Sequence, residues 1–138
     1  MAGKLRLVIV TPEGKTFDDD VEQVVLPGVE GQLGVLPGHV PLLTQIMPGE
    51  LDLKAHAKGD ELAVGGGFAE ITGSRVTILT DMAVKPGQID EQAVERALES
   101  AKTALLEKKA GPEAEELMAL IQRSTAQLQL KRKRRAGA

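Results

Sequence analysis

Gly31 to Thr44 read GQLGVLPGHVPLLT, with three glycines, two prolines and a histidine threaded through apolar residues. Glycine and proline at this density set unusual backbone angles at several successive points, which excludes a helix. Leu33, Val35, Leu36, Val40, Leu42 and Leu43 meanwhile need a dry surface. The stretch is expected to be a shaped loop rather than a linker.

On both sides of it, up to Asp81, the periodicity is two. Leu5, Leu7 and Ile9 alternate with Arg6, Val8 and Val10, and Val21, Gln23 and Val25 alternate with Glu22, Val24 and Leu26. Leu51, Leu53, Ala55 and Ala57 share one strand face, with Asp52, Lys54, His56 and Lys58 on the other. Turn signals recur at short intervals: Pro12-Glu13-Gly14, Pro27-Gly28, Pro37-Gly38, Pro48-Gly49, Lys58-Gly59-Asp60, Gly65-Gly66-Gly67 and Gly73-Ser74. Many short strands separated in this way predict a sandwich or barrel, with Arg75 to Thr80 as the last strand.

After Pro86-Gly87 the period becomes 3.6. Asp90 is suited to cap a helix, with Ile89 before it and Val94 four positions on, the spacing of a hydrophobic staple. The helix is expected to reach about Lys109, with Ala93, Ala97, Ala101, Ala104 and Leu105 as a narrow inner stripe. Ala110-Gly111-Pro112 supplies a stop and a restart, glycine suiting the C′ position and proline the first turn. Glu113, Glu115 and Glu116 then sit at the positive end of a second helix. Its stripe of Ala114, Leu117, Ile121, Ser124 and Leu128 makes the pair an antiparallel hairpin. The fold class is therefore α+β, a β-sandwich over residues 1–86 followed by a helical hairpin over residues 87–138. Small inner residues bury little area, so the hairpin is expected to be marginal alone and to lean on something else.

Composition narrows the function. The chain has 138 residues, 42% of them hydrophobic and 27% charged, which suits a folded domain with an appendage. No apolar run approaches the roughly 20 residues of a membrane span, and MAGKLRLVIV lacks the features of a signal peptide. The chain is expected to stay where it is made. With no cysteine, thiol chemistry and cysteine metal sites are excluded. Residues 1–86 hold 7 Lys/Arg against 12 Asp/Glu, net −5, and residues 87–138 hold 10 against 8, net +2. Most of that positive excess is the run Lys131, Arg132, Lys133, Arg134, Arg135. Phe17 and Phe68 are the only aromatics, which removes the usual stacking platform for single-stranded nucleic acid.

Chemistry-bearing residues are sparse. His56 reads as a surface residue, and His39 as a loop-fixing or interface residue with no nucleophile or carboxylate partner. Adjacent Asp18, Asp19 and Asp20 point to different sides, which favours a solvated turn over a metal site. In the glycine triplet, Glu70 stands where a dinucleotide fingerprint needs its third glycine, so a tight turn or bulge is the better reading. The basic run reads as a solvated helix end, a nucleic-acid patch or a contact for an acidic protein. No catalytic constellation, metal site or cofactor site is expected.

Four motifs in order carry a resemblance: EGQLGVLPGHVPLLT at Glu30 to Thr44, GGGFAEI at Gly65 to Ile71, VTILTDMA at Val76 to Ala83, and the Ile89-Asp90 helix opening. With the alanine-rich hairpin behind them, the chain resembles the epsilon subunits of F-type ATP synthases over nearly its whole length. The resemblance implies a non-catalytic rotor subunit of the central stalk, which couples ion flow to ATP synthesis and inhibits ATP hydrolysis through its hairpin. Its partners would be the gamma subunit, the c ring, and the catalytic beta subunit with alpha, on the cytoplasmic face of the bacterial inner membrane. Glu30, Gly31, Gln32 and Leu33 carry over as the c-ring contact, and His39, Pro41 and Leu42 as lying near gamma or the ring. Gln32 stands where some relatives have a glutamate, so a charge-assisted contact becomes a neutral one. Arg123 and Lys131 to Arg135 would meet an acidic segment of beta. Some relatives bind ATP through an Ile/Leu-Asp-x-x-Arg-Ala pattern, but here Ala93 replaces the arginine, leaving Asp90, Arg96 and Arg123 as a disfavoured site. Two other classes compete with this reading. A basic-tailed nucleic-acid or protein adaptor is opposed by the acidic sandwich, and a small β-sandwich enzyme lacks an acid, base or nucleophile set.

Overall fold

A computed structural model describes residues 4–55, 58–108 and 110–137. The period-two region forms β1 Leu5–Thr11, β2 Gly14–Val21, β3 Gln23–Gly28, β4 Gly31–Val35, β5 Leu42–Ile46, β6 Gly49–Ala55, β7 Lys58–Val64, β8 Gly67–Ile71, β9 Arg75–Thr80 and β10 Ala83–Val84. A 3₁₀ turn at Pro86–Gln88 leads into α1 Glu91–Lys108 and α2 Pro112–Gly137.

Hydrogen bonds join the strands in the order β10-β7-β6-β3-β5-β8-β9-β1-β2, with β4 added to β3. The link from β3 to β5 is the single pair Gly28 with Ile46. At this weak link the sheet folds over into two layers. Register then decides what goes inside. Leu51 lies opposite Leu62 and Val24 opposite Leu53 in one layer. In the other, Leu7 pairs Val76, Ile9 pairs Ile78, and Ile71 pairs Val76. Both inner faces meet in one buried cluster. Burying a large aliphatic side chain contributes about 1.5–3 kcal/mol, so this cluster is the main source of stability.

Four expectations need correction. The shaped loop is shorter than its composition suggests, because Gly31 to Val35 pairs along β3 and Leu42 to Ile46 along β8, leaving only residues 36–41 irregular. Val21 to Leu26 is not one strand. The Glu22 N–H donates to the Lys54 carbonyl, and the bend there lets Val21 point inward from β2 while Val24 and Leu26 point inward from β3. Asp18, Asp19 and Asp20 form the body of β2 instead of a turn, because β1 pairs with them and Arg6 holds Asp18 at 2.7 Å and Asp20 at 3.4 Å. Finally, β10 follows β9, pairing Ala83 with Val64. The glycine triplet does form the turn between β7 and β8. A side chain at Gly67 would collide with the Leu79 carbonyl oxygen.

The hairpin also differs in detail. Asp90 accepts from the Ala93 N–H, and Ile89, Val94 and Leu130 pack together as the staple requires. The buried residues of α1 are Leu98 and Ala101. Leu98 lies off the expected alanine stripe. Ala101 is buried and Ala93, Ala97, Ala104 and Leu105 are half-buried, so the expected stripe does face inward, and Leu98 adds a larger buried residue beside it. Gly111, with φ +94°, sits just before Pro112 and accepts the Glu115 N–H, so it opens α2. Besides Ala114, Ser124 and Leu128, α2 buries Ala126 and Leu130. These two define a second face, which lies on β6 and β7.

Lys15 and then Arg6 hold the Asp18 carboxyl below the ordinary carboxylate value. A depressed carboxylate stabilises above its unfolded pKa of about 3.9 and loses that contribution as pH falls through its native value. Asp18→Asn should therefore melt below the parent at pH 7, with the difference closing as pH falls beneath the ordinary aspartate range in thermal scans across pH.

Candidate functional site

The sequence-predicted residues fall into three places. Glu30, Gly31 and Gln32 are exposed at the tip of the β3–β4 hairpin, with Leu33 half-buried behind them. Gly31, at φ +122°, closes that tip against Gly28, and Val29 beside it is 53% exposed. His39, Pro41 and Leu42 lie beyond the other end of β4, about 13 Å away along a strand rising 3.3 Å per residue. The residues expected near gamma or the ring therefore occupy a different end of the sandwich from Gln32.

The 36–41 loop is tied down locally. The Gly38 N–H donates to the Gly73 carbonyl at 2.7 Å and the His39 N–H to Leu36 at 3.1 Å. The His39 ring nitrogen Nδ1 lies 2.7 Å from the Val40 carbonyl. The described bonds of His39 therefore stay within its own loop. The apolar residues around it remain largely outside: Leu36, Val40 and Leu43 are 56%, 71% and 69% exposed.

Leu43 continues onto the outer face of the β5-β8-β9-β1 layer, where composition alone gave no signal. Phe68 of β8 sits directly opposite Leu79 of β9, and Leu79 opposite Val10 of β1. Phe68 and Leu79 are each 54% exposed. The other layer's outer face is covered by α2. One side of the sandwich is therefore closed by its own chain and the other presents bare apolar side chains, an arrangement that marks an interaction surface.

The third place is the basic end of α2, whose described cations are paired while Arg132 and Lys133 keep 51% and 56% of their side chains exposed. Arg123 donates to Asp81 at 3.0 Å. Lys131 donates to the Pro86 carbonyl at 3.1 Å. Arg132 bonds Glu91 at 3.0 Å and also Glu95, tying the end of α2 to the start of α1. Lys133 bonds both Glu50 and Glu61 at 3.0 Å. The bonds to Glu50 and Glu61 push the Lys133 ammonium to titrate well above the ordinary lysine range. His56 and the side chains of Arg134 and Arg135 lie outside the described residues.

Asp90, Arg96 and Arg123 are not brought together. Asp90 is engaged in capping α1. Arg96 lines a surface hollow with Gln92, Glu95, Glu99 and Ser100. Arg123 borders a separate open groove of about 540 Å³ between the helices, with Leu117 and Leu120.

Comparison with known proteins places this geometry. The family described as ATP synthase, Delta/Epsilon chain, beta-sandwich domain matches residues 4–86. The chain belongs to the ATP synthase epsilon family. An ATP synthase epsilon chain of Syntrophobacter fumaroxidans is 40% identical over 133 residues, covering 96% of this chain and 99% of that one. One from Herpetosiphon aurantiacus is 37% identical, covering 95% and 96%. Among solved structures, a chain of the Euglena gracilis mitochondrial ATP synthase (OSCP/F1/c-ring) superposes with a TM-score of 0.74 at 24% identity, over 89% of this chain and 78% of that one. A chain of the Tetrahymena thermophila central stalk and c ring gives 0.53 at 15%. Those two likenesses speak for the fold. Membership in the family makes the chain a non-catalytic accessory subunit of a membrane-associated ATP synthase. Among the described residues no helix is long and apolar enough to cross a membrane.

Because Val40 and Leu43 stand out of the core, Val40→Ser with Leu43→Ser should change the stability of the free chain by no more than about 0.5 kcal/mol in urea titration. Loss of several kcal/mol would mean that these residues belong to the fold and not to an interface.

Proposed function

We propose that this chain is the foot of the rotor stalk, joining gamma to the c ring. Its exposed apolar side, Leu43, Phe68 and Leu79 with Val40 and Leu36, receives gamma. The Val29-to-Gln32 tip, with Leu33 behind it, meets the polar loops of the ring, and His39, Pro41 and Leu42 support the gamma side. Residues 1–86 are the coupling unit and residues 87–138 the regulatory arm, which inhibits ATP hydrolysis when it extends along gamma to the beta subunit, and alpha beside it. The complex lies on the cytoplasmic face of a bacterial inner membrane. The observation that carries this reading is the uncovered apolar layer on the side away from α2.

Phe68→Asp would force an ionised carboxylate into that contact. Truncating a central anchor costs 2 kcal/mol or more, so the Kd for purified gamma should rise at least ~30-fold. In membranes carrying this variant, or His39→Glu, ATP hydrolysis by the soluble head should persist while proton pumping falls. Equal loss of both would argue against a coupling role. A chain ending at Gly87 should remain a cooperatively folded sandwich that still binds gamma, as its core cluster draws only on strand residues.

The arm is tested separately. Exposed ion pairs contribute about 0–1 kcal/mol each, so its positive charges act as a group. Changing Lys131 to Arg135 to alanine should raise ATP hydrolysis in the assembled enzyme and leave synthesis nearly unchanged. An unaltered hydrolysis rate at both low and high salt would remove beta from the partners of the basic end.

A further inference from the structure

The structure has α2 resting against β6 and β7, which raises the question of what holds it there. The face of α2 toward the sandwich is mixed in character. Its Ile121, Gln122, Thr125 and Gln129 border a shallow hollow with Met47 and Pro48. Ala126 and Leu130 are its buried apolar residues, and Leu130 meets Ala63 and Ile89.

Charge is arranged more deliberately. Glu50, Asp52 and Glu61, from neighbouring positions of β6 and β7, each offer a carboxylate oxygen within 4.8 Å of the others. Asp52 lies directly opposite Glu61 in the register. Three like charges this close repel one another, and the Lys133 ammonium sits among them, bonded to Glu50 and Glu61. Those two side chains are only 23% and 20% exposed. Ten residues earlier, about 15 Å along the helix, Arg123 reaches Asp81 beside Gly65. A methyl group at Gly65 would collide with the Asp81 carboxylate and stand 3.2 Å from Arg123 Cδ. The missing side chain makes room for the pair.

We propose that the sandwich carries a two-point electrostatic receptor for α2, an acidic socket of Glu50, Asp52 and Glu61 for Lys133 and a Gly65 niche for the Asp81–Arg123 pair, which sets whether the arm is docked or free. This rests on the reading of residues 87–138 as a mobile arm. Two independent contacts spaced along one helix fix its register on the sheet, and each is weak enough to open. Lys133 then serves both states: docked, it neutralises the socket, and released, it is free to meet an acidic partner. Releasing the arm also re-exposes the like charges of the socket, which opposes complete separation.

The test uses the full-length free chain. It has no cysteine, so Ser74→Cys and Lys102→Cys place one label on the sandwich and one on the arm for distance measurement. The docked-to-free ratio should fall as salt rises from about 0.1 M to about 1 M, where the screening length drops from ~10 to ~3 Å. Glu50→Gln with Glu61→Gln should lower the ratio about tenfold at low salt, since each exposed pair shifts an equilibrium by up to ~5-fold. Gly65→Ala should lower it as well. Lys133→Met combined with Glu61→Gln should be no worse than Lys133→Met alone, the signature of a direct pair. A ratio that ignores salt and stays within about twofold in the glutamine variant, or full additivity of Lys133→Met and Glu61→Gln, would overturn the receptor and leave apolar packing as the anchor. Sandwich melting of the glutamine variant, read in the same samples, separates undocking from unfolding. In the assembled enzyme that variant keeps its basic end, so a released arm should lower hydrolysis. If the free chain undocks as expected while hydrolysis is unchanged, the receptor stands and the inhibitory role of the arm fails.

Discussion

The parallel pairing of β1 with β9 is the contact on which the remaining architecture depends. It joins residues near the two ends of the sandwich, with Leu7 beside Val76 and Ile9 beside Ile78. Antiparallel hairpins can form locally, but this pairing requires the intervening strands to have turned back already. Once made, it places β2 outside β1 and β8 outside β9, and every inward residue of that layer follows from one register. A slip of one residue would reverse the faces. Phe68 and Leu79 would then be interior, and Ala69 and Ile78 would take their place outside.

Much of this was legible from period alone. The change from two to 3.6 at Pro86 separates the strands from the hairpin, and Ile89, Asp90 and Val94 mark the start of α1 in a few residues. What period could not give was the phase at each break. Val21 and Val24 both point inward because Glu22 bends toward Lys54, a partner far along the chain. The aspartates of β2 looked like a turn because their partner Arg6 belongs to another strand. Leu98 was passed over for alanines that fit the same spacing.

The candidate site was legible in a different way. Glycine and proline mark out the stretch that holds Gln32, His39 and Leu42, but the roles expected of those residues came from the family resemblance, and their separation along β4 could not be read. The apolar outer face was invisible in one dimension, since Leu43, Phe68 and Leu79 come from three strands and become neighbours only through the register. The basic run was seen, but Glu50 and Glu61 precede Lys133 by 83 and 72 residues. No local pattern links them.

The arm's face on the sandwich has a thermodynamic consequence. Unfolding a domain carries a large heat-capacity change because it exposes apolar surface, and polar exposure acts with the opposite sign. Lifting α2 from β6 and β7 uncovers Leu130, Ala126 and Ala63 together with glutamines, carboxylates and an ammonium. The two contributions have opposite signs, so on the proposed reading of residues 87–138 as an arm, lifting it would change the heat capacity less, for the area uncovered, than unfolding the apolar core.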